Sequence, residues 1–131
     1  MWVLDTNTLI YFFKGEGRIA ESLFQHAPRD TGIPAIVIYE LQVGIAKSPS
    51  PDKRIKQLAE LTSIIRVLPF HQQEAKAAAA IRAELERQGT PIGPYDILIA
   101  GTALAHGATL VSRNVREFQR IKGLQVESWY Q

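Results

Sequence analysis

Four acids stand out by where they fall. Asp5 closes the short apolar run Trp-Val-Leu, and Glu40 lies inside an apolar stretch. Asp96 opens another such stretch, and Glu117 follows Arg116 near the end of the chain. A carboxylate among apolar neighbours is costly unless something pairs with it. Several converging on one point repel each other, and one or more then takes up a proton. A divalent cation removes that conflict, and all-oxygen donors select a hard ion, Mg²⁺ or Mn²⁺. An ion held in this way polarises a phosphodiester and lowers the pKa of a water that attacks it. Each acid also has an ordinary structural reading. Asp5 and Asp96 serve equally as turn residues or helix caps. Glu40 serves as a partly exposed helix residue, and Glu117 as half of a surface ion pair with Arg116. His26, His71 and His106 lie near predicted helix ends with no two at ligand spacing, which makes them caps or surface residues.

Other chemistries lack their residues. The chain has no cysteine, so thiolate metal sites and disulfides are excluded. There is no phosphate-binding G-x-x-x-x-G-K-[ST], no G-x-G-x-x-G, no H-E-x-x-H and no G-x-S-x-G. With 131 residues, 46% of them apolar, the expectation is one globular domain over 1–131. The start, MWVLDTN, has neither a basic nor a long apolar segment, and the longest apolar run is too short to span a bilayer. A cytoplasmic protein with no membrane contact is therefore expected. The net charge of +2 is more telling once divided. If the four acids share one site, nine remain against fifteen Lys and Arg, an excess of six positive charges elsewhere. A basic surface around an acidic pocket suits a polyanion, although an ordinary mildly basic protein shows the same numbers.

The elements that must position these acids alternate. Residues 2–5 read as a buried strand. A helix over 7–13 follows, with Thr6 or Asn7 as its cap, then a second over 17–26. TGIPA is a short strand. IVIYELQVGIAKS reads as a helix, because Ile36, Tyr39 and Val43 share a face. Asp52 is placed to cap a helix over 53–64, and IIRVLPF reads as a strand ended by Pro69. Residues 71–89 form the strongest helical pattern, rich in alanine and stopped at Gly89. DILIAGTALAHG reads as a helix apolar nearly all round, and so deeply buried. ATLVS is a strand, NVREFQRIKG an irregular or single-turn segment, and LQVESW a last strand. Short apolar strands alternating with helices imply an α/β fold with a mainly parallel sheet. Ligands then bind beyond the carboxyl ends of the strands, where Asp5, Ser112 and Asn114 fall.

The fragments VLDTN, IYELQVG, IRAELERQGTPIGPYDILIAGTAL and TLVSRNVREFQRIKGLQVESW, in this order, resemble the PIN domains of VapC toxins from bacterial toxin–antitoxin pairs. The resemblance runs over essentially the whole chain, and the Gly-Pro-Tyr-Asp and Asn-x-Arg-Glu-Phe segments are its specific part. It implies a PIN-like α/β/α sandwich around a five-stranded, mainly parallel sheet. It implies endonucleolytic cleavage of RNA, a tRNA or rRNA loop, by water activated at Mg²⁺ or Mn²⁺. Asp5, Glu40 and Asp96 correspond to the metal-binding acids, and Thr6 and Asn7 to polar residues that organise the site. Arg113, Arg116, Arg120 and Lys122 follow the last site segment and are candidates to grip the RNA backbone, or a solvated basic face. A VapB-type antitoxin and a homodimer are implied as partners. The aromatic cluster of Tyr11, Phe12 and Phe13 is a candidate antitoxin contact, with at least one of the three expected in the core.

The chain departs from the family pattern twice. Many relatives have aspartate where this chain has Asn114, and others have an acid at the place of Glu117, so the fourth position stays open between them. Relatives often have serine or threonine at the place of Ala35, where a hydroxyl would cap the Glu40 helix. Two rival readings remain. A phosphohydrolase with Asp5 as nucleophile usually needs a second aspartate two residues on, where this chain has Asn7. A catalytically silent module that only binds RNA or protein is favoured by the lost charge at Asn114 and opposed by the three retained acids.

Overall fold

The computed structural model describes residues 1–130. Its strands are β1 (Trp2–Leu4), β2 (Thr31–Pro34), β3 (Arg66–Leu68), β4 (Thr109–Val111) and β5 (Gln125–Glu127). The helices are α1 (Thr6–Lys14), α2 (Ile19–Phe24), α3 (Ala35–Lys47), α4 (Asp52–Thr62), α5 (Gln72–Arg87), α6 (Pro94–Ala105) and α7 (Val115–Phe118). The sheet runs β3-β2-β1-β4-β5 with every pair parallel, fully rather than mainly so. Helices flank it in the expected α/β/α sandwich. Val3, Leu4, Ile33, Leu110 and Val111 are almost wholly buried, as central strands covered on both faces must be.

β1 lies at the centre, where the strand order reverses direction. Two successive crossovers lead from it to β2 and β3, and the later strands β4 and β5 fill the other side. This is a topological switch point, where parallel sheets open a crevice at their carboxyl edge. The register aligns that edge. Leu4 pairs with Val111, which sets Asp5 beside Ser112. Val3 pairs with Gly32, which sets the start of α3 level with Asp5.

The principal differences from the sequence reading lie in the caps. Asp5 takes the cap role that is its ordinary structural reading, in place of Thr6 or Asn7: its carboxylate accepts from the Thr8 N–H at 2.9 Å. Gly15 ends that helix in the left-handed region, φ 71°. Asp52 is the first residue of α4, and Pro51 holds the cap position. Asp96 lies in the first turn of α6, after a Gly93 cap, rather than at the cap itself. Pro34 rather than Ala35 occupies the cap position of α3, and no side chain bonds the helix end there. The second helix is shorter than its pattern suggests, and an unexpected 3₁₀ turn at Pro28–Asp30 leads into β2. α6 is buried along most of its length, as its composition predicts. It packs so closely on α5 that a Cβ at Gly101 would lie 2.6 Å from the Ala78 Cβ.

Candidate active site

Asp5 follows directly from β1 and remains tied to the sheet. Its N–H donates to the Val111 carbonyl at 3.1 Å, while its carboxylate caps α1. The residue is only 5% exposed. Burial pushes its carboxyl above the ordinary range, against hydrogen bonds from Ser112 and Thr8 that pull it down. Ser112 is fully buried, and its hydroxyl also accepts the Asn114 N–H at 3.0 Å. Thr8 ties the same corner together by donating its hydroxyl to the Val111 carbonyl.

Asp96 sits on the third residue of α6. Its carboxyl is pushed up to about 6, first by burial and then by the charges of Asp5, Glu40 and Glu117. The four acids singled out from the sequence therefore share one electrostatic field. Among the described residues, none of them forms a salt bridge with a Lys, Arg or His side chain. Glu40 is partly buried, and the Thr6 hydroxyl donates to its Oε1 at 2.6 Å. Asn114 and Glu117, the two candidates for the fourth position, are in contact: the Asn114 amide donates to Glu117 Oε2. Glu117 is the member of the pair whose charge reaches Asp96. Asn7 is exposed on α1. Among the described residues no three acidic or histidine side chains are disposed to ligate one ion together.

The basic residues scatter. Arg113 lies over the Tyr130 ring, 3.9 Å from its centroid, and also reaches Tyr11. Arg116 is exposed on α7 beside Glu117. Arg120 and Lys122 line a recess with Glu84, Gln88 and Leu104. Leu104 is two helical turns beyond Asp96, about 12 Å along the axis, so those two cations lie away from the acids. Of the aromatic cluster, Phe13 belongs to the core. Phe12 instead lines an apolar groove with Phe24, Leu61 and Ile64. Two of the histidines take the expected helix-end positions, and His26 is half-buried between Trp2 and Trp129. His71 precedes α5, His106 caps the end of α6, and His26 stacks on Trp129.

Sequence reasoning missed a cleft of about 490 Å³ that begins at Glu40 and runs between α1, α3 and the start of α4. Lys14, Lys53 and Arg54 line it, with Ile10, Leu41 and Ile45 as its apolar part. The one signal in the sequence was the Lys53-Arg54 pair, and only the packing of three helices brings Lys14 to it.

The family profile described as PIN domain matches residues 2–124. This chain belongs to the PIN-domain family. Within it, the chain is 38% identical to a tRNA(fMet)-specific endonuclease VapC of Salmonella typhimurium, over 98% of this chain and 97% of the relative. It is 35% identical to ribonuclease VapC2 of Haemophilus influenzae, with the same coverage. Among solved structures, it superimposes on VapBC2 from Rickettsia felis bound to a DNA fragment from its promoter. There the TM-score is 0.91, with 34% identity over 98% of both chains. The acidic edge just described is thus the carboxyl edge of a PIN sheet whose relatives are VapC proteins across nearly their full length.

Proposed function

We propose that this PIN-domain chain is a Mg²⁺- or Mn²⁺-dependent endoribonuclease, the toxin of a toxin–antitoxin pair. The observation that carries the reading is the setting of Asp96, whose carboxyl is pushed upward by burial and then by Asp5, Glu40 and Glu117, with no salt-bridge partner among the described residues. The relatives supply the substrate class, since those named above are called a tRNA(fMet)-specific endonuclease and a ribonuclease. By that kinship the substrate is a structured RNA, cut in a tRNA or rRNA loop. Loops and bulges offer the splayed bases that proteins read in RNA.

The donors fit a hard ion. They are oxygens only. Mg²⁺ takes one or two carboxylates and keeps several waters, so it does not require three acids in direct contact. Asp5 and Asp96 would hold it directly, with Glu40 and Glu117 acting through water. The ion, when bound, supplies Lewis-acid polarisation of the phosphate and a water of lowered pKa. This chain's own residues supply the positioning. Ser112 and the Thr8 N–H fix the Asp5 carboxylate. Thr6 holds Glu40, and Asn114 holds Glu117. Attack of water at phosphorus breaks the bond to the 3′ oxygen, which leaves protonated as a 3′-hydroxyl, and the other fragment keeps a 5′-phosphate.

The partner in this reading is a VapB-type antitoxin, since the structural relatives are VapBC complexes. The apolar groove at Phe12, Phe24 and Ile64 is where it would dock, with Phe24 71% and Ile64 56% exposed. A homodimer accompanies it. Among the described residues no helix is long and apolar enough to cross a membrane.

The test is cleavage of total tRNA and rRNA by the purified chain in Mg²⁺, Mn²⁺ or EDTA, beside the Asp96→Asn variant. Metal-dependent fragments with 5′-phosphates are expected from the wild type and not from the variant. Intact RNA from folded wild type that binds metal would overturn the reading in favour of a binding module. Phosphate released from small monoesters would overturn it in favour of a phosphohydrolase.

A further inference from the structure

The cleft at Glu40 has a charge pattern that the acids alone do not explain. At one end is Glu40, a member of the acidic cluster. Beyond it stand Lys14 from the end of α1 and Lys53 and Arg54 from the start of α4. Lys14 and Lys53 are exposed, and among the described residues neither has a salt-bridge partner. Arg54 is different: it is held in place by Gln57 at 2.9 Å and lies over the Phe13 ring. Two exposed cations and one anchored one thus line a channel that begins at Glu40, with Leu41 and Ile45 supplying apolar wall. A free small anion would need one such cation. A chain of phosphates carrying sugars and bases needs several, spaced along an apolar surface.

We infer that this cleft is a subsite for the RNA backbone, with Lys14, Lys53 and Arg54 gripping phosphates that flank the bond cut at the acidic edge. The inference rests on the ribonuclease reading for what happens at the acids, and not for the binding itself. The three cations are positioning residues. They hold substrate outside the reacting centre, so their loss acts on binding before it acts on turnover.

The experiment is fluorescence anisotropy of a labelled oligouridylate with the full chain in EDTA, across a salt series, followed by cleavage kinetics in Mg²⁺. The variants are Lys14→Gln/Lys53→Gln, and Gly44→Glu as an independent second. Gly44 lines the same cleft, and open space surrounds the position of its Cβ. Replacing a helical glycine improves helix propensity by more than the like-charge pair with Glu40 one turn away costs, so Gly44→Glu adds a negative charge to the cleft with the fold retained. The double variant is expected to lower the slope of log K against log salt by about 0.7 per lysine removed. Gly44→Glu is expected to weaken binding severalfold, and both variants to raise KM more than they lower kcat. Unchanged affinity and slope in both variants, while wild type cuts RNA, would overturn the subsite and leave the ribonuclease reading standing. Weakened RNA binding in both, from a wild type that cuts nothing, would support the cleft and overturn the ribonuclease reading. Loss of affinity for an acidic peptide with RNA binding unchanged would overturn the subsite in favour of a protein ligand.

Discussion

Glu74 and Asp96 occupy the same local address and titrate in opposite directions. Each is the third residue of its helix, where the helix dipole favours a negative charge by about 0.3–1 kcal/mol. Glu74 is buried with its partners supplied. Its Oε1 accepts the His71 N–H at 2.8 Å, and its Oε2 lies 3.2 Å from His106 Nε2 at the end of α6. That backbone hydrogen bond is the chief cause that holds its carboxyl below the ordinary range. Asp96 has the same dipole, but burial and three neighbouring acids override it. The difference separates two uses of a buried acid. One fastens α5 to α6, and the other has no salt-bridge partner among the described residues.

Exchanging the two roles gives the largest expected effect. Asp96→Asn should lower RNA cleavage about 10³-fold, equivalent to about 4 kcal/mol of transition-state stabilisation, with no loss of fold. Asp5→Asn should do the same. Glu74→Gln should cut RNA at nearly the wild-type rate when assayed well below its Tm. Single-turnover kinetics on one RNA substrate would show both results, and equal activity in all three variants would erase the distinction.

The seam that Glu74 fastens should be the more sensitive to packing. A Cβ at Gly101 would meet the Ala78 backbone at 2.8 Å, and neither helix can yield cheaply there. Gly101→Ala should therefore cost about 1–3 kcal/mol in urea unfolding, despite the better helix propensity of alanine. A stability gain would show that the seam is loose and that Glu74 has little to fasten. At the acidic edge, added Mg²⁺ should raise the Tm of wild type, by mass action on the folded state. Asp96→Asn should lose most of that rise, and Glu74→Gln should keep it.

How much of this was legible follows the range of the interactions. The strand–helix alternation is local, and it predicted the α/β class, the parallel sheet and all five strands, while the α/β/α sandwich was implied by the family resemblance. Asp5 was legible because β1 ends on it, Asp96 because it opens an apolar helix, and the resemblance then grouped both with Glu40 as candidate ligands. The caps were less legible, since several small polar residues compete for each helix start. Asp5 won at α1 because the chain leaves β1 at that residue, and it therefore serves as both cap and candidate ligand. Contacts distant in sequence left no local trace. His106 read as a helix-end residue, and its pairing with Glu74 depends on how α5 lies on α6. Arg113 read as a candidate grip on the RNA backbone or part of a solvated basic face, yet it stacks on rings from both ends of the chain. Lys14 meets Lys53 and Arg54 only through the packing of α1 against its neighbours.

The smallest effect is also the sharpest, because its sign reverses between the two acids. The Asp96 carboxyl is raised from an ordinary 3.8 to about 6, so the folded state favours its protonated form. Its contribution to stability is present below 3.8 and is lost as pH rises through about 6. Asp96→Asn removes that loss. In EDTA the variant should match wild type at low pH and exceed it above pH 6, by about 1 kcal/mol after allowance for solvent screening at a half-buried group. Glu74 is lowered from 4.5, so its contribution is present above that value and fades as pH falls through the folded one. Glu74→Gln should be less stable than wild type at neutral pH and should close the gap on acidification. Two Tm series against pH, one for each variant, should then diverge from wild type in opposite directions. If both fell below wild type at neutral pH, Asp96 would be a fastening acid like Glu74. The case for a cation at the sheet edge would then lose its electrostatic basis.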